Sequence, residues 1–193
     1  MRELVFLLEE RSAKALLDSL LPRFLSTEIH TRLIPFEGKQ DLEKNIERRI
    51  RAYQNPHARF IILRDQDSHP DCKNLKGTLS EYCKKSGRAQ HCLVRIACQE
   101  LEAFYLADLD AVEKALTLNR LASRQGARKF RDPDKLGSPS RELRSLTKNR
   151  YQKVSGSREI GKHLDIENRR SPSFQNLIAA IRRMEGELKT LVF

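Results

Sequence analysis

Three pairs of acidic residues, Glu9 with Glu10, Asp65 with Asp67, and Glu100 with Glu102, carry the chemistry that this sequence could perform, because each pair follows a short apolar run. The most informative stretch reads R-F-I-I-L-R-D-Q-D-S-H-P-D-C from Arg59 to Cys72. Phe60, Ile61, Ile62 and Leu63 form a β-rich apolar run that ends abruptly in charge, which predicts a strand buried on both faces inside a parallel sheet. In an extended backbone, side chains two apart point to the same side. Asp65 and Asp67 are therefore expected to converge at the carboxyl end of that strand, where open α/β sheets place their ligands. Two neighbouring carboxylates repel each other and favour a divalent cation between them. Hard oxygen donors select Mg²⁺ or Mn²⁺, an ion that keeps several waters and is commonly shared with a phosphate. Taken alone, D-x-D fits equally well a polar strand-to-helix loop in which one Asp caps the next helix.

The elements that would position these acids alternate regularly. Glu3 to Leu8 is a second continuous apolar run and reads as a central strand, with Ser12 placed to cap a helix from Ala13 to Phe24. A strand at Ile29 to Leu33, a helix at Asp41 to Tyr53 with Leu42, Ile46 and Ile50 as its apolar stripe, and the D-x-D strand follow. Then come a helix at Asn74 to Ser86, a fourth strand at His91 to Ala97 that delivers Glu100 and Glu102, and helical segments from Glu102 to Leu118. Such alternation implies right-handed βαβ units and an α/β fold with a parallel sheet flanked by helices. Strands of a parallel sheet run the same way, so all three acid pairs fall on one sheet edge. Clustered carboxylates raise one another's pKa or bind metal, which makes the constellation a candidate site.

Charge is unevenly distributed within the net +11. Residues 1–119 hold 19 Lys/Arg against 18 Asp/Glu, residues 120–170 hold 15 against 6, and residues 171–193 hold 3 against 2. A near-neutral core over 1–118 is thus expected to precede a basic extension over 119–193, consisting of a long basic loop with short helical pieces and few large apolar residues at Asn119 to Arg150, a further loop at Asp165 to Ser173, and a closing amphipathic helix at Phe174 to Leu191 packed on the core. Lys/Arg clusters gain affinity for polyanions by releasing phosphate counterions. Arg124, Arg128, Lys129, Arg131, Arg144, Lys148 and Arg150 are therefore candidates for contact with DNA or RNA, although solvated helices are often basic without such a partner. The longest N-terminal apolar run, Leu4 to Leu8, is too short for a signal-peptide core or a membrane span, so a cytoplasmic protein with no membrane partner is expected. Cys72, Cys83, Cys92 and Cys98 lack paired C-x-x-C spacing and are expected to be free or buried thiols. No G-x-x-x-x-G-K-[ST] occurs, so any dependence on ATP would come from a partner.

Four stretches together resemble a family of small, uncharacterised bacterial Toprim-like proteins related to the OLD-type nucleases: L-L-E-E-R-S-A-K-A-L-L at Leu7 to Leu17, I-I-L-R-D-Q-D at Ile61 to Asp67, Q-E-L-E-A-F-Y-L-A-D at Gln99 to Asp108, and R-S-P-S-F at Arg170 to Phe174. The resemblance implies a Toprim-like, Rossmannoid sheet. It places Glu9 on the Toprim glutamate, Asp65 and Asp67 on the D-x-D pair, and Glu100 or Glu102 on the late acid for a second metal. The implied activity is Mg²⁺- or Mn²⁺-dependent cleavage of phosphodiester bonds, with Lys153 as a fixed cation at the transition state. The implied setting is an anti-phage complex with an ABC- or AAA-type ATPase, and a homodimer is also compatible. Two departures stand out: Glu10 replaces the glycine usual after the first glutamate, and Ala13 replaces a common acid. These favour a rival reading, a non-catalytic regulatory subunit that docks onto an ATPase. Primase or topoisomerase activity is disfavoured, since no further domains for it are evident.

Overall fold

In the computed structural model, which describes residues 1–192, four strands alternate with helices: β1 (Glu3–Leu8), α1 (Arg11–Leu20), β2 (His30–Pro35), α2 (Lys39–Arg51), β3 (Arg59–Asp65), α3 (Cys72–Lys85) and β4 (Cys92–Ala97). Five further helices follow, α4 (Glu102–Leu106), α5 (Leu109–Ala115), α6 (Pro139–Leu146), α7 (Lys153–Gly161) and α8 (Pro172–Lys189). The strands pair in the order β2-β1-β3-β4, all parallel. This is the expected α/β class, a parallel sheet flanked by helices, in a Rossmannoid arrangement consistent with a Toprim-like fold. β1 and β3 are central and buried along their whole length, whereas the edge strands β2 and β4 are partly open.

Side-chain alternation along the central strands supplies two cores. Leu4, Phe6, Leu8, Ile61 and Leu63 pack on one face with Leu16, Leu17 and Leu20 of α1 and with Leu177 and Ile181 of α8. Val5, Leu7, Phe60 and Ile62 pack on the other with Leu42, Ile46 and Ile50 of α2 and Leu75 and Leu79 of α3. Fully burying each such aliphatic side chain is worth about 1.5–3 kcal/mol, so strand register, and with it the position of each strand end, is firmly specified.

Several expectations need correction. Ser12 does not cap α1: the helix begins at Arg11, Glu10 takes the N-cap position without a side-chain bond, and the buried Ser12 hydroxyl has no hydrogen-bond partner among the described residues. Residues 119–150 hold the expected short helical pieces but are not poor in core residues. Short 3-10 turns at Ala122–Gly126, Arg128–Phe130 and Pro133–Lys135 lead into α6, and the segment is anchored by Leu121, Phe130 and Leu143, all buried. The helix α7 carries no strong sequence signal, because Gly156 and Gly161 depress helix propensity. Both glycines serve close approach instead. A Cβ on Gly161 would lie 2.3 Å from Ser19 Oγ and 2.8 Å from the Leu16 carbonyl of α1, and one on Gly156 would lie 2.5 Å from the Tyr151 ring. The R-S-P-S-F motif is the start of α8, where Ser171 Oγ accepts from the Phe174 N–H and Pro172 opens the first turn. All four cysteines are free thiols. Among the described residues, no helix is long and apolar enough to cross a membrane.

Candidate functional site

The chain leaves β1 for β2 on one side and then crosses to β3 on the other, so the carboxyl ends of β1 and β3 form a topological switch point, the crevice where open α/β sheets take ligands. A cleft of about 430 Å³ lies there, and Glu9, Glu10, Asp65, Asp67, Glu100 and Glu102 all line it together with Lys153. The strand ends are locked to one another. Glu9 N–H donates to the Leu63 carbonyl at 3.2 Å, and the Asp65 N–H donates to Glu9 Oε2 at 3.0 Å. Asp67 reaches the cleft by a different route from the strand alternation expected for it. β3 ends at Asp65, and Asp67 takes a left-handed conformation at φ 53°, facing Gln99 at φ 63° beyond β4, with the Asp67 N–H donating to the Gln99 carbonyl at 2.7 Å. Two non-glycine residues in this region, side by side at a cleft, are backbone strain held at a candidate site. The half-exposed Asp67 carboxylate pairs with Lys39 Nζ at 3.3 Å.

Burial makes the cleft electrostatically demanding. Asp65 is 8% and Glu102 1% exposed. Desolvation, then the charges of Glu9, Glu102 and Glu10, hold the Asp65 carboxyl well above the usual range. Desolvation together with the Asp67 and Glu10 charges pushes Glu9 up to about 6, against the lowering effect of its bond from the Asp65 backbone. Burial likewise raises Glu102, partly offset by Lys153 and by the Tyr151 hydroxyl, which donates to Glu102 Oε1 at 2.9 Å. Glu100 accepts from the Ser140 N–H at 2.6 Å at the start of α6. Burial would lower the Lys153 ammonium, but its pairing with Glu10 Oε1 at 2.6 Å and the charges of Glu102 and Asp65 raise it. The first turns of α1, α6 and α7 also reach the cleft through Ser12, Ser140 and Lys153, and their dipoles add partial positive charge.

The oxygen donors that could hold a hard divalent cation are Glu9, Asp65, Asp67 and Glu102. Their chemistry fits such an ion, since the raised proton affinities of Glu9, Asp65 and Glu102 mark a cluster short of positive charge. Among the described residues, no group of three His, Cys, Asp or Glu is gathered into a ready-made metal cage.

Lys129 pairs with Glu142 at 2.5 Å, Arg128, Arg131 and Arg144 are exposed, and Arg124, Lys148 and Arg150 share a second cleft with Arg120. Sequence reasoning passed over Tyr151 and Arg120, for which composition and periodicity give no signal. It treated Glu10 as a departure from a motif, whereas here Glu10 holds Lys153.

A family model described as "Domain of unknown function (DUF4276)" matches residues 8–182. The chain belongs to this family. The match runs from the last residue of β1 into α8 and so takes in every residue that lines the cleft. No curated protein and no solved structure is significantly similar to the chain.

Proposed function

We propose that this member of the DUF4276 family is a Toprim-type nuclease subunit that cleaves phosphodiester bonds with Mg²⁺ or Mn²⁺. The observation that carries the reading is the burial of Asp65 among Glu9, Glu10 and Glu102 at the switch point, an arrangement that costs stability unless a cation neutralises it. Glu9, Asp65, Asp67 and Glu102 would hold the ion, and a bound divalent metal supplies Lewis acidity at a phosphoryl oxygen. Tyr151 orients Glu102, the Asp65 N–H orients Glu9, and Lys153 offers a fixed positive charge at the cleft wall. DNA or RNA is the substrate class, favoured by the basic segment over residues 120–170. The Toprim relationship, a cytoplasmic setting, a homodimer and an ATPase partner in an anti-phage assembly belong to the same proposal and rest on the sequence resemblance.

One observation favours the rival reading of a non-catalytic subunit that docks onto an ATPase. Glu10 already occupies the Lys153 ammonium, so the cation is engaged before any phosphate arrives. Calorimetry with Mn²⁺ and Mg²⁺ separates the outcomes. Under the nuclease reading, Asp65→Asn with Asp67→Asn weakens metal binding at least tenfold, and the wild-type chain, alone or with an ATPase partner, cuts plasmid DNA or tRNA whereas the double variant does not. Metal affinity unchanged in the double variant would overturn the site. Metal binding without cleavage, with or without the ATPase, would favour the non-catalytic subunit.

A further inference from the structure

Arg120, Arg124, Lys148 and Arg150 converge on a notch of about 320 Å³ that no carboxylate lines. Its apolar side is formed by Leu118, Leu121 and Leu146, which are buried or half-buried, while the four cations sit on exposed residues. The Glu113 carboxylate of α5 is engaged by the backbone N–H groups of Leu121 and Ala122.

The backbone is arranged specifically to bring these residues together. Thr117, Arg120, Lys148 and Asn149 all take left-handed conformations, with φ of 52°, 62°, 49° and 63°. For a β-branched residue such as Thr117 this is a genuine outlier. The two strained turns come from stretches about thirty residues apart and are tied face to face by Arg150 Nη1, which donates to the Thr117 carbonyl at 3.3 Å. Strain of this kind persists where the surrounding structure over-determines it, and it gathers at ligand clamps.

We infer that the notch is a binding site for a multiply charged phosphate, a phosphomonoester or pyrophosphate, carried either by a free nucleotide or by the phosphorylated end of a nucleic-acid strand. Four cations match two or more negative charges better than the single charge of an internal phosphodiester, and three of them are guanidinium groups, whose planar forks suit phosphate oxygens. Binding here does not depend on what the acidic cleft does. The two lie close: α6 runs from Ser140 at the cleft to Leu146 at the notch, about 9 Å of helix rise. If the cleft cuts nucleic acid, a strand end held in the notch would be measured off a few nucleotides from it.

The test uses the full chain at low salt with EDTA, so that metal in the cleft plays no part. Inorganic pyrophosphate and ATP are titrated by calorimetry, and a 5′-phosphorylated single-stranded oligonucleotide is compared with its 5′-hydroxyl twin. Pyrophosphate is expected to bind, and Arg124→Gln with Lys148→Gln is expected to weaken it at least tenfold with no change in the unfolding midpoint. Arg128→Gln with Arg131→Gln, which removes equal charge outside the notch, should change it less than twofold. A tenfold preference for the phosphorylated oligonucleotide would identify a strand end as the source, and tight ATP binding with no such preference would identify a nucleotide. Failure of the wild-type chain to bind pyrophosphate or ATP at millimolar concentration, or an equal loss in the control pair, would overturn the site.

Discussion

The acidic cleft and the basic notch stand near opposite ends of α6 and hold like charge in opposite ways. In the cleft, carboxylates sit at the ends of buried strands, so that Asp65 and Glu102 lose almost all contact with water. In the notch, guanidinium and ammonium groups stand on exposed turns with their hydration largely intact. The first arrangement opposes folding and is offset by helix N-termini, backbone N–H groups, the Tyr151 hydroxyl, and the Lys39 and Lys153 ammonium groups. The second costs the side chains little, and the strain lies in the backbone that aims them. Mutations should therefore separate the two regions: neutralising the cleft stabilises the fold, whereas neutralising the notch leaves stability within about 0.5 kcal/mol, the usual range for surface positions.

The change expected to damage the cleft most is Gly161→Ala. The added methyl meets the Leu16 carbonyl and Ser19, so α7 must move away from α1 and withdraw Lys153 from Glu10. Overpacking of this kind costs about 3 kcal/mol, or roughly 6–12 °C in the unfolding midpoint for a chain of this size. A midpoint unchanged from wild type in a thermal scan would mean that α7 docks more loosely than its glycines imply.

Next in size, Asp65→Asn should raise stability in denaturant unfolding by about 1–3 kcal/mol, the scale of an uncompensated buried polar group, while weakening divalent-metal binding. Stabilisation combined with loss of function marks a site held against folding. A destabilised variant would instead show that the Asp65 carboxylate is held by contacts that outweigh its desolvation.

The smallest effect is one of pH. Glu9 titrates near 6 in the folded chain against an ordinary value of 4.5. The folded state therefore takes up this proton first as pH falls, so the Glu9 contribution is unfavourable above about pH 6 and is relieved below about 4.5. Partial exposure discounts the effect to about 1–2 kcal/mol. Wild-type stability should gain on that of Glu9→Gln between pH 7 and pH 5, and the gain should shrink when Mn²⁺ is present. Parallel stability profiles would place Glu9 in ordinary solvent.

Much of the fold was legible because its signals are local. The apolar runs Leu4–Leu8 and Phe60–Leu63 can satisfy their backbone and their side chains only in the middle of a sheet, and parallel pairing then requires Glu9, Asp65 and Glu100 to share one edge. Leu42, Ile46 and Ile50 announce α2 by their spacing alone. The helix α7 was not legible, since Gly156 and Gly161 argue against a helix until Tyr151 and α1 are present to pack against them.

What the sequence determined by itself is the set of strands and the acids that end them, because hydrophobic periodicity and strand direction depend on near neighbours. Tertiary structure alone decided which charges meet. The Glu10 and Lys153 side chains come together across 143 positions of chain because α7 packs against α1, a contact that the missing side chain of Gly161 permits. Asp67 reaches the cleft through a left-handed turn whose N–H is held by the Gln99 carbonyl beyond β4. Arg120 joins Arg150 because two strained turns are clamped face to face. Each of these meetings is stabilised by partners remote in sequence, so no local pattern encodes it.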